Sequence, residues 1–389
     1  MTMTSDTVRL DPGSEATPGA ATTGSAEPLP RCGGRAGPRI QVLDGLRLLA
    51  ALMVVAYHYT YRAPDAWGAR ATTVFPRLST VTGYGWLGVE LFFVISGFVI
   101  CMSAWGRGVG DFFVARVVRL FPAYWFAVAA TSTAVILVSG VDRARVTEIM
   151  VNLTMLQVPM RVPSIDGVYW TLWTELHFYL LFALVVWRGV SYRNTVLFCL
   201  LWTVASVAVT GSDDRVVVLV VGGAESSYFV AGIAFYLMYR FRPTLLLWGI
   251  VGVSLVLSLY RIGPTATAVD VIGARHLPWP ATAGVVVGIF AVMAAVAMRW
   301  LSGIRWPWLT VAGALTYPLY LLHQQIGWFA IMTMRDRVPR VALLVAVVGA
   351  MLLAAWLVHR FVERPVAALG RAGLRRSLAD LRCYPRQDR

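Results

Sequence analysis

Apolar runs of about 18 or more residues recur along this chain, each long enough to cross roughly 30 Å of hydrocarbon as an α-helix. Ten are legible, at about 43–61, 83–104, 120–139, 168–187, 194–210, 216–239, 244–262, 279–298, 308–332 and 341–358. In a bilayer each backbone polar group must find its partner inside the protein, so runs of this length become helices rather than open strands. The 389 residues are 58% hydrophobic and 14% charged, which excludes an ordinary soluble domain, where these shares run near half and a quarter. The expected fold is an all-α polytopic membrane protein of about ten transmembrane helices around an internal site. Segment 146–160 is too short and polar to span and reads as re-entrant or interfacial. Residues 1–40 are rich in Ala, Gly, Pro, Ser and Thr without a signal-peptide core and read as a disordered tail. Residues 41–366 form the membrane domain, and 367–389 a basic tail.

All 34 basic residues are arginine. Without lysine there is no Schiff-base chemistry and no Gly-Lys-Ser/Thr phosphate loop, which excludes ordinary pyridoxal-phosphate chemistry and argues against an ATP-driven pump built from this chain alone. The net charge of +14 could suggest nucleic acid, but the span map accounts for it. Arg107, Arg116, Arg119, Arg188, Arg193, Arg240, Arg242, Arg299, Arg305, Arg360, Arg364, Arg371, Arg375 and Arg376 fall on one side, which the positive-inside rule makes cytoplasmic. Ten spans then place both termini in the cytoplasm of a multi-pass plasma-membrane protein. Arg62, Arg70, Arg77, Arg143, Arg145, Arg335, Arg337 and Arg340 lie on the other side, so the bias is moderate. Cys32, Cys101, Cys199 and Cys383 are scattered, with no CxxC pair and no histidine at ligand spacing, and no metal is expected.

Ionisable residues inside such spans are costly and mark function when they face a protein interior. The first span carries Asp44, Arg47 and His58. Arg47 and His58 are eleven residues apart, which on a helix is roughly 16 Å with an offset of about 20°, so both face one way. Arg116 and Arg119 share a helix face at the entry to the third span and suit phosphate oxygens, although a lipid-headgroup anchor would look the same. Glu175 and Tyr179 lie one turn apart and can hydrogen-bond, while His177 must project elsewhere. Glu90 is a second intramembrane carboxylate, and His323 follows Tyr320 closely. Ser96 lacks a nucleophile elbow, so Ser96-Gly97 reads as a small pair for close helix approach, and Cys101 likewise as packing. His359 and Glu363 are spaced to pair locally, and His276 reads as a solvated loop residue.

Taken in order, Leu43-Asp-Gly-Leu-Arg47 with His58, Leu91-Phe-Phe-Val-Ile-Ser-Gly-Phe98, Arg116-x-x-Arg119, Trp170-Thr-Leu-x-x-Glu175-x-x-Phe-Tyr179, Tyr317-x-Leu-Tyr-Leu-x-His323 and Glu363-Arg-Pro365 resemble acyltransferase family three. These are membrane O-acyltransferases of the O-antigen acetylase and macrolide acyltransferase type, and the resemblance covers about residues 40–366. It implies transfer of an acyl group, often acetyl from acetyl-CoA, to a hydroxyl of a surface glycan, a glycolipid or a glycosylated natural product in a bacterium. It implies functional roles for Arg47, His58, Arg116 and Arg119. The chain ends soon after its tenth span, without room for the esterase-like domain of larger members, so a single-module enzyme is expected.

The chemistry expected on this basis makes His58 a general base toward the acceptor hydroxyl, or a transient acyl carrier. Arg116 and Arg119 hold acyl-CoA phosphates. Arg47, oriented by Asp44, steadies the pantetheine arm or the developing oxyanion, and Glu175 aligns the acceptor or fixes a histidine tautomer. Glu90, His177, Tyr179 and His323 are expected as acceptor or site support. No cofactor is held permanently: acyl-CoA is a co-substrate, the bilayer and a hydroxylated acceptor are the other partners, and nucleic acid is not one. The alternative is a proton-coupled transporter or exporter, with the buried histidines and carboxylates as its proton relay.

Overall fold

The computed structural model describes residues 40–63, 66–139, 143–223, 225–366 and 368–369, and all regular structure among them is helical. The long helices are α1 (Gln41–Thr60), α2 (Gly88–Ala104), α3 (Val109–Ser139), α4 (Trp170–Trp187), α5 (Tyr192–Ala208), α6 (Ser226–Arg240), α7 (Leu245–Arg261), α8 (Trp279–Ala297), α9 (Pro307–Met334) and α10 (Arg340–Val358). Each overlaps one expected run. Eight spans are long and apolar enough to cross a bilayer among the described residues, so this is a multi-pass membrane protein.

Two of the ten expected runs are not among those eight. α5 is only 17 residues long. α9 has 28 residues, but Thr316, Tyr317, His323, Gln324 and Gln325 dilute its apolar character. The expected run 216–239 divides into a short helix, Arg215–Val221, and α6, with a break at Gly222, where φ is +94°. α3 begins well before the expected 120, at Val109, so Arg116 and Arg119 lie inside a helix. Segment 146–160 forms a short helix, Arg143–Leu153, and then turns, and is not one of the spans. The two expected tails lie almost wholly outside the described residues.

Close packing is set by glycines at helix crossings. A Cβ on Gly97 of α2 would stand 2.2 Å from the carbonyl oxygen of Phe229, and one on Gly232 of α6 would stand 2.1 Å from that of Val94. α2 and α6 therefore touch backbone to backbone, as small residues permit in a bilayer, and the expected packing role of Ser96-Gly97 holds for the glycine. Where α1 packs on α9 the glycines make room for side chains instead: Gly313 for Asp44, and Gly327 for the Tyr59 hydroxyl.

The segment between Leu153 and α4 is an irregular stretch in which side chains satisfy several buried backbone groups, as burial of such backbone requires. Tyr124 donates to the Asn152 carbonyl at 2.5 Å, Asn152 Nδ2 donates to Pro163 O at 2.9 Å, and Gln157 Nε2 donates to Tyr169 O at 3.2 Å. Asp166, fully buried, accepts the backbone N–H groups of Val168 at 3.1 Å and Gln325 at 3.0 Å, which ties this segment to α9. Burial pushes the Asp166 carboxyl up to about 7, against the opposing pull of those two donors.

Candidate functional site

Arginines from two helices meet at one end of the bundle. Arg116 and Arg119 of α3, with Arg47 of α1, line a wide cavity of about 650 Å³, whose wall also includes Asp44, Tyr317, Glu363 and Arg364. The same three arginines open into a narrow slot of about 80 Å³. Along α2 the slot is lined from Ile100 to Val89, which is roughly 16 Å of helix. Much of its wall is apolar, with Phe92, Phe93 and Leu172 beside Tyr320.

Each arginine is held differently. Arg116 is buried, donates through Nη2 to Ser103 Oγ at 3.0 Å, and lies 5.7 Å from the ring centroids of both Phe112 and Tyr179. Arg119, one turn on, is exposed. Arg47 Nη1 stands 3.9 Å from Asp44 Oδ1, a loose ion pair between residues one turn apart on α1. Glu175 projects into the slot and accepts hydrogen bonds on Oε1 from Ser96 Oγ at 3.0 Å and from the Tyr179 hydroxyl. Its hydrogen bond to Tyr179 follows the expected one-turn spacing. Its tie to Ser96 comes from a crossing of α2 and α4 that spacing could not disclose.

His58 lines neither cavity. It is buried beside His323 of α9, with His58 Nδ1 at 3.1 Å from His323 Nε2. His323 Nδ1 is 2.8 Å from Tyr320 O and 3.2 Å from Leu319 O. Carbonyls only accept, so Nδ1 of His323 carries its proton and Nε2 is left as an acceptor. His58 Nδ1 also faces Val54 O at 2.9 Å. With acceptors on both sides it must be the donor, and the lone pair of His58 falls on Nε2. The network thus assigns both tautomers. The partner that fixes His58 is His323, whereas Glu175 is engaged by Ser96 and Tyr179.

Tyr320 joins the slot to the histidines. Its ring lines the deep end of the slot and lies 5.7 Å from the His323 ring, while its hydroxyl is 2.9 Å from Thr171 Oγ1. Trp328 Nε1 donates to the His58 carbonyl at 2.9 Å, and Tyr59 to the His323 carbonyl at 2.6 Å. These contacts pin α1 to α9 around the pair.

Two candidates stand elsewhere. His177 bonds the Val220 carbonyl through Nε2 at 2.9 Å and stacks on Trp173, which docks the short helix Arg215–Val221. Glu90 is buried near Glu225 and Tyr228 and lines neither cavity, and its Oε2 has no hydrogen-bond partner among the described residues. His359 and Glu363 pair as expected, at 2.5 Å, and His276 is exposed but bonds Asp270 at 2.8 Å. Among the described residues no three histidine, cysteine or carboxylate groups gather as metal ligands. Sequence gives Ser103 and Thr171 no role of their own, reads Ser96 as a packing residue and notes Tyr320 as the neighbour of His323; their places beside the slot come from contacts between helices.

A model of the acyltransferase domain, family three, matches residues 40–360. The chain belongs to this acyltransferase family. The match takes in every arginine and histidine of the two cavities except Arg364. A Bacillus subtilis (strain 168) protein provisionally named peptidoglycan O-acetyltransferase YrhL is 31% identical over 102 residues, 24% of this chain and 13% of that one. Nodulation protein 10 of Rhizobium leguminosarum bv. viciae is 28% identical over 174 residues, 37% of this chain and 44% of that one. The acyltransferase chain thus spans less than half the length of either relative. No solved structure matches it.

Proposed function

We propose that this membrane acyltransferase moves an acyl group, acetyl being the simplest, from acyl-CoA to a hydroxyl of a sugar-containing acceptor: a surface glycan, a glycolipid or a glycosylated natural product. The observation that carries the reading is the wide arginine-lined cavity narrowing into a roughly 16 Å slot that ends one tyrosine ring from a paired histidine. Guanidinium forks suit phosphates, and a narrow apolar slot suits a pantetheine arm. Positive-inside counting puts the arginine end in the cytoplasm, where acyl-CoA is made. The Bacillus relative's name pairs O-acetyl transfer with peptidoglycan, which favours a carbohydrate acceptor.

In the reaction, the acceptor hydroxyl attacks the thioester carbonyl while His58 Nε2 takes the hydroxyl proton. The tetrahedral intermediate collapses, the carbon–sulfur bond breaks, and the imidazolium returns the proton to the departing thiolate. Ester and free CoA result, with no net proton. His323 Nε2 accepts from His58 Nδ1–H throughout, which holds the ring in the tautomer this step requires and stabilises the imidazolium. Arg47 is placed to stabilise negative charge near the slot entrance rather than at the reacting carbon.

The test is His58→Ala in the native host, with insertion and abundance matched to the parent, followed by mass spectrometry of metabolites and envelope lipids. Loss of one acyl group from a single species, with its deacylated form appearing, supports the transferase and names acceptor and acyl chain together. Unchanged acylation with a solute retained inside the cell replaces it with the exporter reading.

A further inference from the structure

One wall of the wide cavity comes from a part of the fold that the acyl-transfer steps leave idle. α10 ends at Val358 and passes into a π-helical turn, His359–Glu363, packed against α3, the helix that carries Arg116 and Arg119. A π turn takes more residues per turn than the α-helix before it, so it rotates the residues beyond it, and such turns recur at functional positions. Here it brings His359, Glu363 and Arg364 to the cavity.

The charges around the cavity are unequal. Arg47, Arg116, Arg119 and Arg364 face two carboxylates, Asp44 and Glu363. Asp44 is beside Arg47, and Glu363 is bonded to His359 Nδ1 at 2.5 Å, with Arg119 in electrostatic reach. No ion pair joins Arg364 to either carboxylate among the described residues, and its side chain is exposed. The cavity therefore has an excess of positive charge, and its volume of about 650 Å³ lies in the range of small-molecule sites.

Acyl-CoA carries anions at two separate places, the diphosphate next to the pantetheine arm and a 3′-phosphate on the ribose. Arg116 and Arg119 line both cavity and slot, which is where the diphosphate lies if the arm occupies the slot. Arg364 lines only the cavity. We infer that Arg364, presented by the π-helical turn, is the residue that binds the 3′-phosphate of acyl-CoA, in a subsite separate from the Arg116 and Arg119 pair. The inference rests on the proposed acyl-CoA donor. The planar fork of arginine, with two parallel donors, fits a terminal phosphate better than a point charge does.

The experiment is isothermal titration of the full-length protein in detergent with CoA and with 3′-dephospho-CoA, for wild type, Arg364→Gln and Arg364→Lys. Wild type is expected to bind CoA about tenfold more tightly than the dephospho form, the scale of one charge-assisted contact. Arg364→Gln should bind both as wild type binds dephospho-CoA, and Arg364→Lys should fall between. Matched melting temperatures show that the variants fold. A tenfold preference retained in Arg364→Gln, or no preference in wild type, overturns the subsite. Wild type binding neither compound overturns the acyl-CoA reading itself, and the subsite with it.

Discussion

His323 Nε2 sits 3.1 Å from His58 Nδ1, and the carbonyls of Tyr320 and Val54 on either side force the shared proton onto His58. A residue on α9 thereby decides which nitrogen of a residue on α1 is basic. His323→Ala should lower kcat and leave the KM for acyl-CoA unchanged. A hydrogen bond to a charged partner contributes about 1.5–3 kcal/mol, so the expected loss is about 10- to 100-fold. His58→Ala should cost more, roughly 100- to 10,000-fold, the range for a general base. Steady-state rates with the acceptor identified by mass spectrometry separate the two. Equal losses in both variants would make His323 a second reacting group instead.

Arg116 and Arg119 share a face yet differ in surroundings, and their variants should differ too. Arg119 is exposed, so Arg119→Gln should weaken CoA binding about tenfold at 0.1 M salt, with the deficit shrinking toward 1 M as screening shortens its reach. Arg116 is buried, bonded to Ser103 and packed on Tyr179. Arg116→Gln should weaken binding at every salt concentration and also lower the melting temperature. Titration calorimetry across salt, with thermal scans, checks both.

The Asp166 carboxyl is pushed up to about 7 by burial, well above the ordinary carboxylate value near 4. The folded protein therefore binds a proton that the unfolded chain has released between about pH 4 and 7, so the stabilising contribution is complete below about pH 4 and lost as pH rises through about 7. Apparent melting temperature should fall over that interval in wild type. In Asp166→Asn the fall should flatten, although one of the two N–H groups, of Val168 or Gln325, loses its acceptor. A wild-type profile that is flat from pH 4 to 7 would sink this account.

Gly97→Ala places a methyl group 2.2 Å from the Phe229 carbonyl. Because the obstacle is backbone, α2 and α6 must separate, and overpacking of this kind costs about 1–3 kcal/mol. The variant should accumulate less and melt lower, and its purified remainder should bind CoA nearly as wild type, since Gly97 lines neither cavity. Gly313→Ala makes the contrast, because its methyl group would strike Asp44 beside Arg47 and should impair binding.

The sequence by itself determined the class of fold, because apolar runs of bilayer length leave the backbone no alternative to helices. It also determined that Arg47 and His58 share a face, that Arg116 and Arg119 are neighbours and that Glu175 meets Tyr179, since each is a matter of spacing along one helix. The family followed from motifs in order, and the comparison with residues 40–360 bears that out.

What spacing could not decide was contact between helices. His323 lies 265 positions from His58 and Ser96 lies 79 from Glu175, and only the packing of α1 on α9 and of α2 on α4 makes each pair neighbours. The same physics moved candidates away: His177 has the chemistry of a site residue, but its helix face meets the Val220 carbonyl rather than the slot. A side chain's chemistry is written in its residue type, whereas its partner is set by which backbones glycines such as Gly97 and Gly313 allow to approach.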